Sequence, residues 1–192
     1  MEHAYFEDKT FDKCNFTQNP LSKGDYDHCT FKNCDFSNSS LANITFTECV
    51  FIASNLSLVN LAKTTLCEVK FLDSKMLGLR FENCNSFGLS FYFENCSLNH
   101  SSFYKLKLKK TVFKNCLLQE VDFTSCDLSN SIFDHCDFRD AGFESTNLEK
   151  ADLRTSLNYS IDPEKNKIKK ALFSLPAVIG LLYKHDILID TN

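Results

Sequence analysis

Glycine is scarce in this chain. Gly24, Gly78, Gly88, Gly142 and Gly180 are all it has in 192 residues, too scattered to form the glycine-rich loop that cradles a phosphate. Long apolar runs are missing as well. The longest, ALFSLPAVIGLL, contains Pro176 and falls short of the roughly 18 apolar residues that a membrane-spanning helix needs. The opening MEHAYFEDKTF carries acids where a secretory signal needs a positive flank and an apolar stretch, so a cytoplasmic protein is expected. His3, His28, His100, His135 and His185 share no spacing with acids or cysteines that would resemble a metal site or a nucleophile and its base. These absences argue against an enzyme and leave no cofactor, metal or membrane to expect.

What the chain has in abundance is a period of five. From Phe6 every fifth residue is apolar through Phe11, Phe16, Leu21, Tyr26 and onward to Met76 and Phe81. After a slip of two, the count resumes at Phe93 and runs through Leu98, Phe103, Leu108 and Phe113 to Leu153. Sixteen of the 19 phenylalanines occupy these slots. Neither a straight helix nor a straight strand can bury such a set, because five helical steps turn through about 140° and five strand steps reverse the side chain. The pattern closes only if the backbone turns one corner every five residues. Four corners make a square coil of twenty residues, and Phe11, Phe31, Phe51 and Phe71 then stack on one side. The position two before each central residue also points inward and is usually small, so large and small side chains share a narrow core.

Ten cysteines invite a disulfide or zinc reading. Eight of them fall at the small inward position, and Cys84 joins them if its register continues, so packing already explains their spacing. Parallel side chains on stacked coils lie alongside each other instead of converging, so free, buried thiols are expected.

CDFSN, TNLEK and ADLRT carry the A-D/N-L-X-X pattern, and across residues 4–157 the chain resembles the pentapeptide-repeat family. The resemblance implies an all-β fold, a right-handed quadrilateral β-helix over residues 1–157 with a short irregularity near 82–92. That irregularity, flanked by Gly78 and containing Gly88, is expected to bulge and could present Phe87 or Tyr92 to a partner. Residues 158–192 change texture and are expected to form a capping and dimerisation module. Its elements are an amphipathic helix over Pro176 to His185 and a terminal strand at ILID. Leu172, Phe173, Val178, Ile179, Leu182, Tyr183, Ile187 and Ile189 are the candidate homodimer interface.

The order of this tail, Asp162-Pro163 followed by an apolar helix and an Ile-rich end, is similar to the C-terminal dimer module of the Qnr and MfpA type of pentapeptide-repeat protein. That resemblance implies a DNA mimic that binds a bacterial type II topoisomerase, DNA gyrase or topoisomerase IV. The consequence would be protection from fluoroquinolones or gyrase-targeting toxins. The chain departs from the Qnr pattern in having one interruption that adds only two residues.

Charge distribution bears on the same comparison. Lys105 to Lys114 holds five lysines and no acid, whereas Glu120 to Arg154 holds nine acids against Arg139, Lys150 and Arg154. Asp122, Asp127, Asp134, Asp137, Asp140, Glu144, Glu149 and Asp152 are the candidate phosphate-like surface. Their net charge per length of shaft approaches that of duplex DNA, about one per 1.7 Å. A protein partner and no direct nucleic-acid contact are expected. The alternative is a structural repeat scaffold that binds an unrelated protein, with the acidic zone incidental.

Overall fold

The computed structural model describes residues 4–190. Its backbone winds as a right-handed β-helix with four sides, here faces A to D in the order the chain visits them. Face A carries β1 (Ala4–Glu7), β3 (Gly24–Asp27), β5 (Thr45–Thr47) and β7 (Thr65–Cys67), paired in parallel as one four-stranded sheet. Face B carries the longest sheet, seven parallel strands: β2 (Thr10–Asp12), β4 (Thr30–Lys32), β6 (Val50–Ile52), β8 (Val69–Leu72), β9 (Phe91–Glu94), β10 (Val112–Lys114) and β11 (Ile132–Asp134). Faces C and D are held by single bridges, such as Asp35 to Asn55 on C and Ser102 to Asp122 to Gly142 on D.

The period of five is built from two local devices. Beyond each inward side chain the corner residue turns left-handed, with φ of 51° at His28, 54° at Asn33, 56° at Asn38 and 61° at Asn43, and asparagine tolerates that region better than most residues. Before it, an Asp or Asn side chain accepts the backbone N–H two residues on. Asp35 Oδ1 accepts from Ser37 N at 2.9 Å, and Asp122 Oδ1 from Thr124 N at 2.8 Å. This Asx turn is why the repeat favours Asp or Asn at that place.

Inside, aromatic rings stack in columns. On face B, Phe31 lies 4.8 Å from Phe51 and Phe93 lies 4.9 Å from Phe113, near parallel in both cases. Rings of adjacent columns meet edge to face, as Phe103 and Phe113 do at 87°. At the small inward corner, thiols and hydroxyls reach carbonyls of the coil below: Cys34 Sγ donates to Phe11 O at 3.3 Å and Ser131 Oγ to Leu108 O at 2.9 Å. All ten cysteines are free, and only Cys14 and Cys67 are not buried.

The slip of two is visible as a change of register. Phe31 pairs with Phe51 twenty residues on, but Phe71 pairs with Phe93. The extra residues fall on face A, where the four-stranded sheet stops at β7. A short 3-10 turn at Phe81–Asn83 leads into the bulge, which is tied back where Asn85 N donates to Thr64 O and Ser90 N to Leu66 O.

Three expectations for the tail need correction. Bridges from Asn147 to Lys167 and from Asp152 to Leu172 carry the coil on past residue 157. Pro176 to His185 is not an amphipathic α-helix but two 3-10 segments, Pro176–Leu181 and Tyr183–His185, and Ile187 to Asp190 forms no strand. Gly180 disfavours a continuous α-helix, whereas Pro176 stands at the first position, where a helix tolerates it. The strand is missing because no neighbouring strand is offered for pairing at that end among the described residues.

Candidate functional site

The eight candidate acids do not share a surface. Asp122 and Glu144 lie on face D with Asp140 at its edge toward C; Asp127 and Glu149 lie on A, Asp134 and Asp152 on B, and Asp137 on C. They form a girdle around the shaft.

Their environments also divide. Asp122, Asp127, Asp137 and Asp152 are the Asx-turn residues of their repeats and are half-buried. Asp152 is clamped by Arg154 at 2.7 Å, and this pairing holds its carboxyl below the ordinary range. Partial burial works to raise Asp127 and Asp137. Hydrogen bonds from Ser129 and Lys109 to the first, and from Asn158, Gln119 and Arg139 to the second, outweigh it and lower both. Asp134, bonded by Thr155 Oγ1 at 3.0 Å and by His135 Nδ1 at 2.7 Å, is lowered by those two contacts. Asp140 and Glu144 are exposed, the latter 3.6 Å from Lys165, and Glu149 is half-buried. Glu120, outside the candidate set, stands beside Asp122 and Asp140 and pairs with His100 at 3.2 Å. Only the twenty-residue coil brings it there.

Phe87 stands at the tip of the face A bulge and is 86% exposed. Tyr92 is not part of that projection: it lies in β9 on face B, half-buried, where its hydroxyl donates to Glu94 Oε2 at 2.8 Å. Lys114 closes this small network on Glu94 at 2.7 Å.

At the carboxy-terminal end, Leu172, Ile179, Leu182, Tyr183, Ile187 and Ile189 are exposed, while Phe173 and Val178 are half-buried. The first 3-10 segment docks through Gly180, whose carbonyl accepts from Ile161 N at 3.0 Å. A Cβ at Gly180 would collide with the Tyr159 carbonyl oxygen, so only glycine permits this approach. Between that segment and the last coil runs a cleft of about 810 Å³, with Leu157, Tyr159, Ile179 and Tyr183 in its walls and Arg139 and Asp140 at its rim. Among the described residues no group of three or more His, Cys, Asp or Glu is placed to hold a metal ion.

Comparison with solved structures finds the same fold in QnrB1, described as a plasmid-mediated fluoroquinolone resistance protein. The full-length structure matches with a TM-score of 0.57 and 16% identity over 96% of this chain and 100% of that one. A trypsin-treated form of QnrB1 matches with a TM-score of 0.50 and 17% identity over 97% and 100%. HetL, a pentapeptide-repeat protein involved in heterocyst differentiation regulation in the cyanobacterium Nostoc sp., matches with a TM-score of 0.47 and 16% identity over 90% and 87%. No curated protein matches the sequence. A family model described as the pentapeptide repeat region matches residues 24–92 and 89–160, most of the shaft, and the chain belongs to the pentapeptide-repeat family.

Proposed function

We propose that this chain is a cytoplasmic, homodimeric DNA mimic that binds a bacterial type II topoisomerase, DNA gyrase or topoisomerase IV, and protects it from fluoroquinolones or gyrase-directed toxins. The observation that carries the reading is the patch of carboxylates at Glu120, Asp122, Asp140 and Glu144, which the coil sets together on face D and its edge toward C. Coils of a β-helix repeat about every 4.8 Å, so these charges have the fixed spacing that a flexible acidic tail lacks. Asp127, Asp134, Asp137 and Asp152, on the other three faces, add charge that hydrogen bonds keep ionised. The full-length likeness in fold to QnrB1 agrees with this reading. The exposed apolar end, from Leu172 to Ile189, supplies the surface through which two shafts would join.

A supercoiling assay with gyrase, with and without a fluoroquinolone, tests it by titration of this protein. Inhibition or rescue supports the reading. A variant with Asp134, Asp140, Glu144 and Glu149 changed to lysine should lose the effect while keeping its circular dichroism, since Phe133, Phe138, Phe143 and Leu148 hold the core there. Equal potency of that variant would refute mimicry.

A second reading, a scaffold for an unrelated protein, is favoured by face B. Its seven strands present a flat outer surface on which Val112 and the exposed Ile132 flank a shallow groove edged by Lys114, Asp134 and Arg154. A surface of this kind, apolar at its centre and charged at its rim, suits a protein partner.

A further inference from the structure

Face A changes sign along the shaft. Its first four coils present Glu7, Asp8, Asp25, Asp27, Glu48 and Glu68 against Lys23 and Lys63 at the corner toward D, with His28 between Asp27 and Glu48, so this half is net acidic. Beyond the Phe87 bulge the face becomes basic. Lys105, Lys107, Lys109 and Lys110 cross it as one rung, all exposed. The ladder from Lys107 to Asp127 to Asn147 to Lys167 sets a second rung three coils away, formed by Lys165, Lys167, Lys169 and Lys170, also exposed. Lys150, whose N–H donates to Lys169 O at 3.1 Å, joins it at the corner. In the chain these runs are sixty positions apart, and only the twenty-residue coil makes them parallel.

We propose that the carboxy-terminal half of face A docks duplex nucleic acid through its phosphates, without reading sequence. Three coils at about 4.8 Å separate the rungs by about 14 Å. That distance lies within the reach of lysine side chains to two backbones flanking a major groove about 12 Å wide. A flat face laid on a duplex touches those two ridges and nothing between them. The two acids of the intervening coils fit this: Asp127, held by Lys109 at 3.3 Å, and Glu149 stand between the rungs, over the open groove and away from phosphates. The cations are all lysine, which binds phosphate as a point charge and lacks the fork with which arginine reads guanine. An anionic membrane is less well matched, because its charge is continuous and would meet Asp127 and Glu149 as directly as the lysines. The acidic first coils repel the same polyanion and confine it to one half of the face. The proposal departs from the expectation of no direct nucleic-acid contact, and it is independent of the topoisomerase reading, whose densest acids lie on face D.

The test is fluorescence anisotropy of a labelled random-sequence duplex with the full chain. Binding should be measurable near 50 mM salt and fall by roughly 10³-fold toward 200 mM, as expected for about six phosphate contacts. The variant K107E/K109E/K167E/K169E should bind at least 100-fold more weakly. A control, K13E/K32E/K70E/K75E, makes the same change in net charge on other faces and should stay within a few-fold of the parent. All eight side chains are exposed, and circular dichroism checks the fold of both variants. The proposal is overturned if the parent does not bind near 50 mM salt or if the two variants weaken binding equally. Tighter capture by single-stranded DNA or by phosphatidylserine vesicles than by duplex overturns it too.

Discussion

Replacing Phe113 with alanine should be among the most damaging single changes in the shaft. Its ring is fully buried between two near-parallel neighbours, Phe93 at 4.9 Å and Phe133 at 5.0 Å, and meets Phe103 and Phe123 edge to face at 5.9 and 6.2 Å. Truncation of a buried phenylalanine costs about 3–5 kcal/mol, and a site whose neighbours are fixed by coils above and below can collapse little, which favours the upper part of that range. Phe6 supplies the comparison. It sits in the first coil, half-buried, with Tyr26 stacked at 4.7 Å and Phe11 edge-on at 6.4 Å, and no described coil covers its other side. Two aromatic contacts at roughly 0.5–1.5 kcal/mol each suggest about 1–3 kcal/mol for Phe6→Ala. Because each coil touches only its neighbours, the central change should also split the cooperative unit, lowering the urea m-value, whereas the terminal change should fray one end and leave m intact. Urea titrations followed by circular dichroism at the β band read both quantities. Equal losses from the two substitutions would show that position along the stack does not matter, and the nearest-neighbour picture would fail.

Other expectations follow from single sites. In the native state a thiol reagent should modify Cys14 and Cys67 first and the other eight slowly. Burial pushes Cys49, Cys84, Cys96 and Cys126 up to about 12, and denaturant without reductant should release all ten; a count of six or fewer would mean bridges. The Asp27 hydrogen bond, and next the charge of Glu48, raise His28 above its ordinary value. Its contribution to stability is therefore complete below the unfolded pKa near 6.5 and lost as pH rises through the higher folded value. The melting temperature should drop slightly over that window in the parent and less in His28→Gln; identical profiles would remove the assignment. Deleting the chain from Pro176 onward should give monomers or aggregates in light scattering, and a clean dimer would place the interface elsewhere.

The fold was legible because its signal is redundant. Phe31, Phe51 and Phe71 repeat a single instruction at twenty-residue intervals, and no competing element can bury side chains at a period of five. The surface carried no such redundancy. Asp122, Asp127, Asp137 and Asp152 look in sequence like a cluster of free charge, yet each accepts a backbone N–H two residues on and is part of the turn. Seen from the motif, the Asp of A-D-L-X-X had a structural task before it had an electrostatic one. The tail failed for the opposite reason: Pro176 and Gly180 sit inside an apolar run whose texture suggested a helix, and the close approach of Gly180 to Tyr159 depends on a tertiary contact that no local pattern announces.

A coil that returns every twenty residues converts sequence distance into height and sequence position modulo twenty into direction. Residues of one coil more than about five positions apart therefore point to different faces, and a run such as Glu120 to Asp152 is spread around the shaft. Charges that act together share one five-residue side or recur at twenty-residue multiples, as Lys107 and Lys167 or Lys110, Lys150 and Lys170 do. On this fold, electrostatic function is written in columns. A surface assigned from a contiguous stretch will then mix faces, while one assigned by column separates the acidic edge at Asp122 and Asp140 from the lysine rungs of face A. Those two surfaces meet along one corner, where Glu144 and Lys165 lie 3.6 Å apart. Substitutions confined to one column should accordingly leave the other surface's binding unchanged, because the exchanged side chains point to solvent and the core beneath the shared corner, at Cys126 and Thr146, stays as it is.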